Sequence, residues 1–239
     1  MRFKSSDKMV AKLDFTQSAT GAILAFFIVG HILFEASILI SKDFMQSVTL
    51  FFEGYYFFGE RYPGIISFLA AFLFVVFILH ALTAMRKFPA GYREYKVMSS
   101  HAKRLNHEDT SLWLIQVATG FVMLFLGSVH LYIMMTQPDQ IGPHLSAQRV
   151  VGEWMAPLYF FLLLSVVSHA FIGLYRLALK WGFFEGKKPK ESRKKMKVLL
   201  KVFVALYIFI GLASLAKYIE IGLSEEAKQP YISHAEVQR

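Results

Sequence analysis

Five apolar stretches alternate with polar segments along the chain. They cover about residues 21–40, 64–85, 111–135, 157–179 and 198–219. Each is close to the roughly 20 apolar residues that an α-helix needs to cross the hydrocarbon core of a bilayer. Backbone polar groups must be satisfied within the segment in lipid, so runs of this length favour helices over open strands. The pattern predicts an all-α integral membrane protein with five transmembrane helices, forming one domain over residues 1–239.

The polar segments between these runs are predicted as loops and connectors. They cover residues 41–63, 90–109, 139–154 and 180–197. Asp14 or Ser18 is a candidate cap for the start of the first helix, because short polar side chains accept hydrogen bonds from the first free N–H groups. Pro157 is predicted to open the fourth helix, since proline is tolerated in a first turn.

The distribution of positive charge predicts how the chain is oriented in the membrane. The net charge is +9, and the basic residues cluster at 2–12, 86–104 and 180–201, beside apolar runs rather than on a separate polar domain. Cytoplasmic loops carry this excess of Lys and Arg, whereas the opposite loops hold only Lys42, Arg61 and Arg149. We therefore predict a cytoplasmic N-terminus and no nucleic-acid binding.

The chain has no cysteine. This excludes disulfides, iron–sulfur ligation by this chain and covalent haem attachment through a C-x-x-C-H motif. Any haem held by the chain is therefore a non-covalent haem b.

Four apolar runs carry one histidine each, namely His31, His80, His130 and His169. The first and third runs lead outward, which puts His130 roughly 10 Å outside the centre of its span and His31 slightly outside. The second and fourth lead inward, which puts His80 about 9 Å inside its centre and His169 slightly inside. The depths predict an outer pair, His31 with His130, and an inner pair, His80 with His169.

Two such pairs suit two stacked haems inside a bundle of the first four helices. Iron with two imidazole ligands has no vacant position, which favours electron transfer over oxygen chemistry. The alternative is that each histidine only forms hydrogen bonds between helices. The other four histidines lie in connectors or the tail and are predicted to be solvated: His101, His107, His144 and His234.

Four motifs resemble a known family over at least residues 12–182. AKLDFTQSATG, SFLAAFLFVVFILHALTAMRKFP, GSVHLYIMMTQP and GLYRLALKWG are similar to the dihaem cytochrome b subunits of bacterial quinol:fumarate reductases, in the succinate:quinone oxidoreductase superfamily. The resemblance implies a subunit of the bacterial inner membrane that exchanges electrons with menaquinone or menaquinol. It also implies a flavoprotein and an iron–sulfur protein on the cytoplasmic face, and it is compatible with a dimer of such heterotrimers.

The same resemblance assigns site residues. His80 and His169 match the ligands of the haem nearer the iron–sulfur subunit, and His31 and His130 match those of the distal haem. Arg149 matches a propionate partner of the distal haem. The matches to propionate partners of the proximal haem are Gln17, Ser18, Trp113 and Lys180. All of these side chains can donate hydrogen bonds to a carboxylate.

Three positions, two of them acids, bear on proton transfer. Glu53 matches the acid expected to accept protons from menaquinol, although the residues alone favour a solvated loop carboxylate. Val167 stands where members with a transmembrane proton pathway carry glutamate, which puts that pathway in doubt here. Glu35 lies one turn outward from His31. An acid inside an apolar run is costly, and it either serves proton exchange near the outer haem or forms a hydrogen bond to a neighbouring helix.

Two other functions fit parts of the pattern. A cytochrome b subunit of a hydrogenase or formate dehydrogenase would also use membrane histidines. A haem-free transporter or membrane scaffold would keep the five spans without any cofactor. Copurification with a succinate-oxidising flavoprotein and b-type bands in a reduced-minus-oxidised spectrum would separate these from a fumarate reductase subunit.

Overall fold

A computed structural model describes residues 2–87, 91–105, 107–184, 187–224 and 231. The described residues form helices and turns, and no strand occurs among them. Two short 3₁₀ helices, Ala36–Leu39 and Pro138–Gln140, lie between the α-helices. The α-helices are α1 (Arg2–Glu35), α2 (Lys42–Phe52), α3 (Tyr55–Phe58), α4 (Gly64–Met85), α5 (Tyr92–Leu105), α6 (Glu108–Thr136), α7 (Pro143–Gly152), α8 (Met155–Lys180) and α9 (Pro189–Gly222).

Five of these helices are long and apolar enough to cross a membrane. They are α1, α4, α6, α8 and α9. The predicted all-α class with five spans is therefore confirmed. The spans leave large apolar side chains exposed on their outer surfaces, among them Phe26, Phe68, Phe125 and Phe209. A protein in water rarely exposes so much contiguous apolar surface, whereas lipid solvates it.

Four of the five spans, all except α4, depart from the predicted ends. Helix α1 begins at Arg2, so Asp14 and Ser18 lie inside it, and the Ser18 hydroxyl donates to the Asp14 carbonyl oxygen at 2.9 Å. The prediction that either residue caps the helix start is wrong. Residues 2–20 contain no glycine or proline, so the helix continues into its polar turns. Helix α9 likewise begins early, at Pro189, and α8 begins at Met155 rather than Pro157.

The predicted connectors at 41–63, 90–109 and 139–154 contain helices α2, α3, α5 and α7. The prediction of loops there is wrong. Ser41 caps α2 by accepting a hydrogen bond from the Phe44 N–H at 3.0 Å, and Pro143 opens α7. Helices α2 and α7 bury one face each, and α3 contains no buried residue, so none of the three shows a long apolar run in the sequence.

Helices α1, α4, α6 and α8 form a closed bundle. In order around it, α1 packs on α4, α4 on α6, α6 on α8 and α8 on α1. Helix α9 lies outside this ring, against α8 and α7. Val167 is fully buried in a core that α8 shares with α1 and α9. The four histidine-bearing helices thus surround one common interior.

Candidate functional site

The inner histidine pair joins α4 and α8. The ring centroids of His80 and His169 lie 6.3 Å apart, with the ring planes at 85°. His80 Nδ1 lies 3.2 Å from the carbonyl oxygen of Gln17, and His169 Nδ1 lies 2.9 Å from that of Gln116. A carbonyl oxygen only accepts, so each Nδ1 carries the proton and each Nε2 keeps its lone pair. This is the arrangement by which metal-binding histidines are usually oriented.

Glycines hold the two rings closely. A methyl group built on Gly21 would lie 2.8 Å from His80 Cε1, and one built on Gly120 would lie 3.1 Å from His169 Cε1. Such separations are closer than ordinary carbon contacts of about 3.5–4.0 Å. Helices α1 and α6 therefore approach the rings of α4 and α8 only because these positions have no side chain.

A cavity of about 410 Å³ opens beside this pair, between α1, α4, α6 and α8. Its volume falls within the range of pockets that hold small molecules and cofactors. The lining is mostly apolar at the centre and polar at the end that Ser18 and Lys180 line. Its walls include both inner histidines and the four residues predicted to bind proximal propionates: Gln17, Ser18, Trp113 and Lys180.

Cations gather at the polar mouth of the cavity. Lys180 Nζ donates to Ser18 Oγ at 3.0 Å and to the Asp14 carbonyl oxygen at 3.2 Å. The Asp14 carboxylate pairs with Arg86 and, at 3.0 Å, with Lys87. Partial burial, together with the charges of Arg86 and Arg176, lowers the pKa of Lys87. The mouth is therefore a crowded positive site that favours additional anions.

The outer pair joins α1 and α6. The ring centroids of His31 and His130 lie 6.0 Å apart, with the planes at 44°. Phe27 stacks on His31 at 5.3 Å, and Tyr159 meets His130 edge-on at 5.6 Å. His130 Nδ1 is buried and has no hydrogen-bond partner among the described residues. The structure thus places the four histidines in the two pairs expected from their depths.

Both separations fit two imidazoles on opposite sides of one metal ion. An imidazole nitrogen lies about 2 Å from a bound transition metal, with the ring centre about 1 Å farther, so the two centroids would be about 6 Å apart. The described residues contain no group of three or more His, Asp and Glu side chains that could hold a metal. Each pair therefore offers two nitrogen ligands, as a haem iron requires of its protein.

Two predicted residues on the outer side are deeply buried. Arg149, on α7, is 3% exposed. Its Nη2 donates to the Gln140 carbonyl oxygen at 3.0 Å, whereas its Nε has no partner among the described residues. Glu53, at the end of α2, is fully buried and accepts two hydrogen bonds from Arg61, at 2.6 and 3.2 Å. The alternative of a solvated Glu53 is therefore wrong.

The comparisons with known proteins identify the family of this chain. A family model for the succinate dehydrogenase/fumarate reductase transmembrane subunit matches residues 92–210. The fumarate reductase cytochrome b subunit of Wolinella succinogenes is 49% identical over 222 residues, which are 93% of this chain and 87% of that protein. The protein of the same name from Helicobacter pylori strain 26695 is 47% identical over 216 residues, 90% of this chain and 83% of its own. This chain belongs to the succinate dehydrogenase/fumarate reductase transmembrane subunit family.

A shorter relative supports the same family. The succinate dehydrogenase hydrophobic membrane anchor subunit of Archaeoglobus fulgidus is 33% identical over 102 residues, 42% of this chain and 87% of that protein. The resemblance expected from the motifs is thus confirmed. The chain is a transmembrane subunit of a fumarate reductase or succinate dehydrogenase complex. The comparisons support neither a hydrogenase subunit nor a transporter.

Within this family member, Glu35 contacts the fifth span. Its Oε2 accepts a hydrogen bond from the Tyr218 hydroxyl on α9 at 3.0 Å. The hydrogen bond to a neighbouring helix, one of the two roles considered for Glu35, is therefore present. Tyr218 is buried, so the bond also ties α9 to the outer end of α1.

One of the remaining histidine predictions is wrong. His144 is 3% exposed, because α7 turns it inward, and its ring lies 4.9 Å from that of Tyr231. His107 is largely exposed and caps the start of α6, as a solvated residue would. The side chain of His101 and the whole of His234 lie outside the described residues.

Sequence reasoning missed several groups at the inner site. Gln116 and Thr119 both face His169 Nδ1, and Thr20 faces His80 Nδ1. A threonine or glutamine in an apolar run is too common to indicate a site. Arg86 and Lys87 stand out in the sequence, but basic residues beside an apolar run are also explained by the excess of Lys and Arg in cytoplasmic loops. Their convergence on Asp14 depends on helix packing.

Proposed function

We propose that this subunit holds two haems b and passes electrons between a quinone and the partner subunits of its complex. The inner haem would be bound by His80 and His169, and the outer by His31 and His130. The observation that carries the proposal is the pairing itself, with centroid separations of 6.3 and 6.0 Å. When bound, each haem supplies a one-electron carrier with no vacant iron position.

The polar groups of the chain suit the propionates of these haems. Arg86, Lys87 and Lys180 supply three cations near the inner site, which share the carboxylate of Asp14. Arg176 adds a fourth positive charge beside Lys87. Two propionates would reduce the remaining excess of positive charge. Charge-assisted hydrogen bonds from such donors are stronger than neutral ones. Gln17, Ser18 and Trp113 also line the cavity, and they can donate to the same carboxylates.

Arg149 has the corresponding role at the outer haem. Its guanidinium is almost fully buried. A buried guanidinium nitrogen without a partner is costly. A propionate of the outer haem would satisfy it.

Quinol chemistry is proposed at the outer side. Oxidation of menaquinol would release two electrons, which the outer haem would accept one at a time, and two protons, for which Glu53 is the candidate first acceptor. The support is that Glu53 is buried, carries a fixed cationic partner in Arg61, and lies beyond the outer ends of α1 and α4.

The orientation and partners follow from the same proposal. The relatives are named fumarate reductase cytochrome b subunits. We infer an inner-membrane subunit with a cytoplasmic N-terminus, on whose inner face a flavoprotein and an iron–sulfur protein dock. The basic segments beside α1, α4 and α9 support this orientation. Fumarate and succinate interconvert on the flavoprotein.

The deciding experiment counts haems in the purified complex. The pyridine haemochrome assay should give two haems b per chain. The His31→Ala and His130→Ala complexes should lack one spectral component, and His80→Ala and His169→Ala the other. Loss of the same component in His31→Ala and His80→Ala would contradict the pairing. Succinate and fumarate turnover with naphthoquinones, measured on the same preparation, tests the assigned reaction.

A further inference from the structure

We propose that Asp14 is a positioning residue for the inner haem. Its carboxylate fixes the cations that meet the propionates, and its negative charge lowers the reduction potential of that haem. The inference rests on the proposed haem between His80 and His169. Asp14 is not among the residues that line the cavity, so it would act through its neighbours.

The position of Asp14 on α1 is one turn beyond the cavity wall. Gln17, Ser18 and Gly21 follow it at i+3, i+4 and i+7, which places all four residues on one face of the helix. Those three line the cavity, and Gly21 contacts His80. The side chain of Asp14 is therefore at the cytoplasmic edge of the same face, where propionates would leave the apolar part of the cavity.

Three cations from two other helices converge on this carboxylate. Arg86 and Lys87, at the end of α4, pair with Oδ1, and Lys180, the last residue of α8, lies 3.7 Å from Oδ2. Lys180 is also held by the Asp14 carbonyl oxygen and by Ser18 Oγ. Both lysines line the cavity. One residue of α1 thus ties the ends of α4 and α8 at the mouth.

These cations would separate without the carboxylate. Like charges repel, and the pKa of Lys87 is already lowered by its partial burial and by Arg86 and Arg176. Long basic side chains at a membrane surface otherwise extend toward water. The Asp14 side chain is 34% exposed, so water screens its charge only in part.

Removing the Asp14 charge has two opposing effects: loss of the negative charge raises the potential of the inner haem, and spreading of the cations lowers it. In Asp14→Asn the amide oxygen still accepts hydrogen bonds from the cations, so the loss of charge should dominate. Reducing a ferric haem adds one negative charge to the site. A carboxylate near the haem disfavours that addition, so its removal should make reduction easier. The oxidised inner haem would therefore be stabilised by Asp14, whereas the outer haem lies beyond the range of a screened charge at the cytoplasmic surface.

The test is an optical redox titration of the intact complex carrying Asp14→Asn, which removes the charge and keeps the shape. The midpoint potential of the inner haem should rise. The equilibrium constant for its reduction should increase twofold to tenfold, and a tenfold increase corresponds to about 59 mV for one electron. The outer midpoint should stay unchanged. Loss of the inner haem alone would equally support the positioning role. Asp7→Asn is the matched control, since Asp7 is exposed on the same helix two turns away, and it should leave both midpoints unchanged.

Asp14→Glu provides the rescue, because it restores the charge with one added methylene. A return to the wild-type inner midpoint in Asp14→Glu supports the inference. Asp14→Asn with two haems and an unshifted inner midpoint overturns it, as does a shift of the outer midpoint alone. Failure of both Asp14 variants to assemble would assign Asp14 to folding and also overturn it. A wild-type complex without bis-histidine haem signals would overturn the proposed function as well, which separates the two failures.

Discussion

Replacing Gly21 by alanine should remove the inner haem while leaving the fold nearly as stable. The added Cβ would lie 2.8 Å from His80 Cε1 and 3.3 Å from His80 Nδ1. Because Gly21 belongs to the continuous helix α1, its backbone has little freedom to retreat. The His80 ring must therefore move away from Gln17, whose carbonyl oxygen it contacts at 3.2 Å.

The free energies involved nearly cancel for the haem-free chain. Alanine in a helix interior is favoured over glycine by about 1 kcal/mol. The lost hydrogen bond from His80 to the Gln17 carbonyl costs about 1 kcal/mol. The free energy of unfolding should therefore change little. Haem binding tolerates far less movement of the His80 ring than folding does. A displacement of about 1 Å is enough to prevent a ligand from meeting the geometry that its site requires.

The assay is haem content and the reduced-minus-oxidised spectrum of the purified complex, with thermal unfolding measured on the same sample. Gly21→Ala should fall from two haems per chain to one and should lose the component that His80→Ala loses. Gly127→Ala is the control, since its Cβ would meet only Phe77 and Leu162, at 3.7 and 3.9 Å. Two haems with an unaltered spectrum in Gly21→Ala would refute the role of this close contact in ligation.

Three further predictions concern Glu53, Tyr218 and Val167. Glu53→Gln should keep both haems and the fold but strongly reduce menaquinol-dependent turnover, and near-normal turnover would leave Glu53 a structural partner of Arg61. Tyr218→Phe should lower the free energy of unfolding by about 1–3 kcal/mol, because it removes a donor from the carboxyl group of Glu35; equal thermal stability of variant and wild type would contradict this. Val167 cannot relay a proton, so quinol oxidation coupled to fumarate reduction in sealed proteoliposomes should generate a membrane potential. Turnover with no potential and no response to an uncoupler would instead indicate a replacement pathway, with Glu35 the first residue to test.

The number of spans was predictable because lipid imposes a length. Helix α4 begins and ends at the predicted residues, since its apolar run is bounded sharply by Pro63 on one side and Arg86 on the other. The ends of α1 and α9 were not predictable in this way. Their first turns are polar but helix-compatible, so hydropathy ends while the hydrogen-bonded helix continues.

Within the site, only the pairing of the histidines was predictable, because it depends on a single quantity, the depth of each residue in the membrane. Depth along a span is set by residue count, and it was enough to pair His80 with His169. The partners of Glu53 and Asp14 depend on how helices rotate and pack. Arg61, eight residues after Glu53, reaches it because a tight turn and α3 fold the chain back. The sequence alone contains no pattern that predicts the contact between Arg61 and Glu53.

The two histidine pairs differ in how firmly the bundle holds them. Each inner ring is carried by one helix and bound through Nδ1 by another, so α1, α4, α6 and α8 all converge on His80 and His169. The outer rings belong to α1 and α6 and rest mainly on aromatic neighbours, with Tyr159 against His130. A ring fixed by a hydrogen bond is preorganised for a metal, whereas stacking permits rotation. In the function proposed above, the more firmly held pair is the one nearer the partner subunits, and the less constrained pair is the one nearer the quinone.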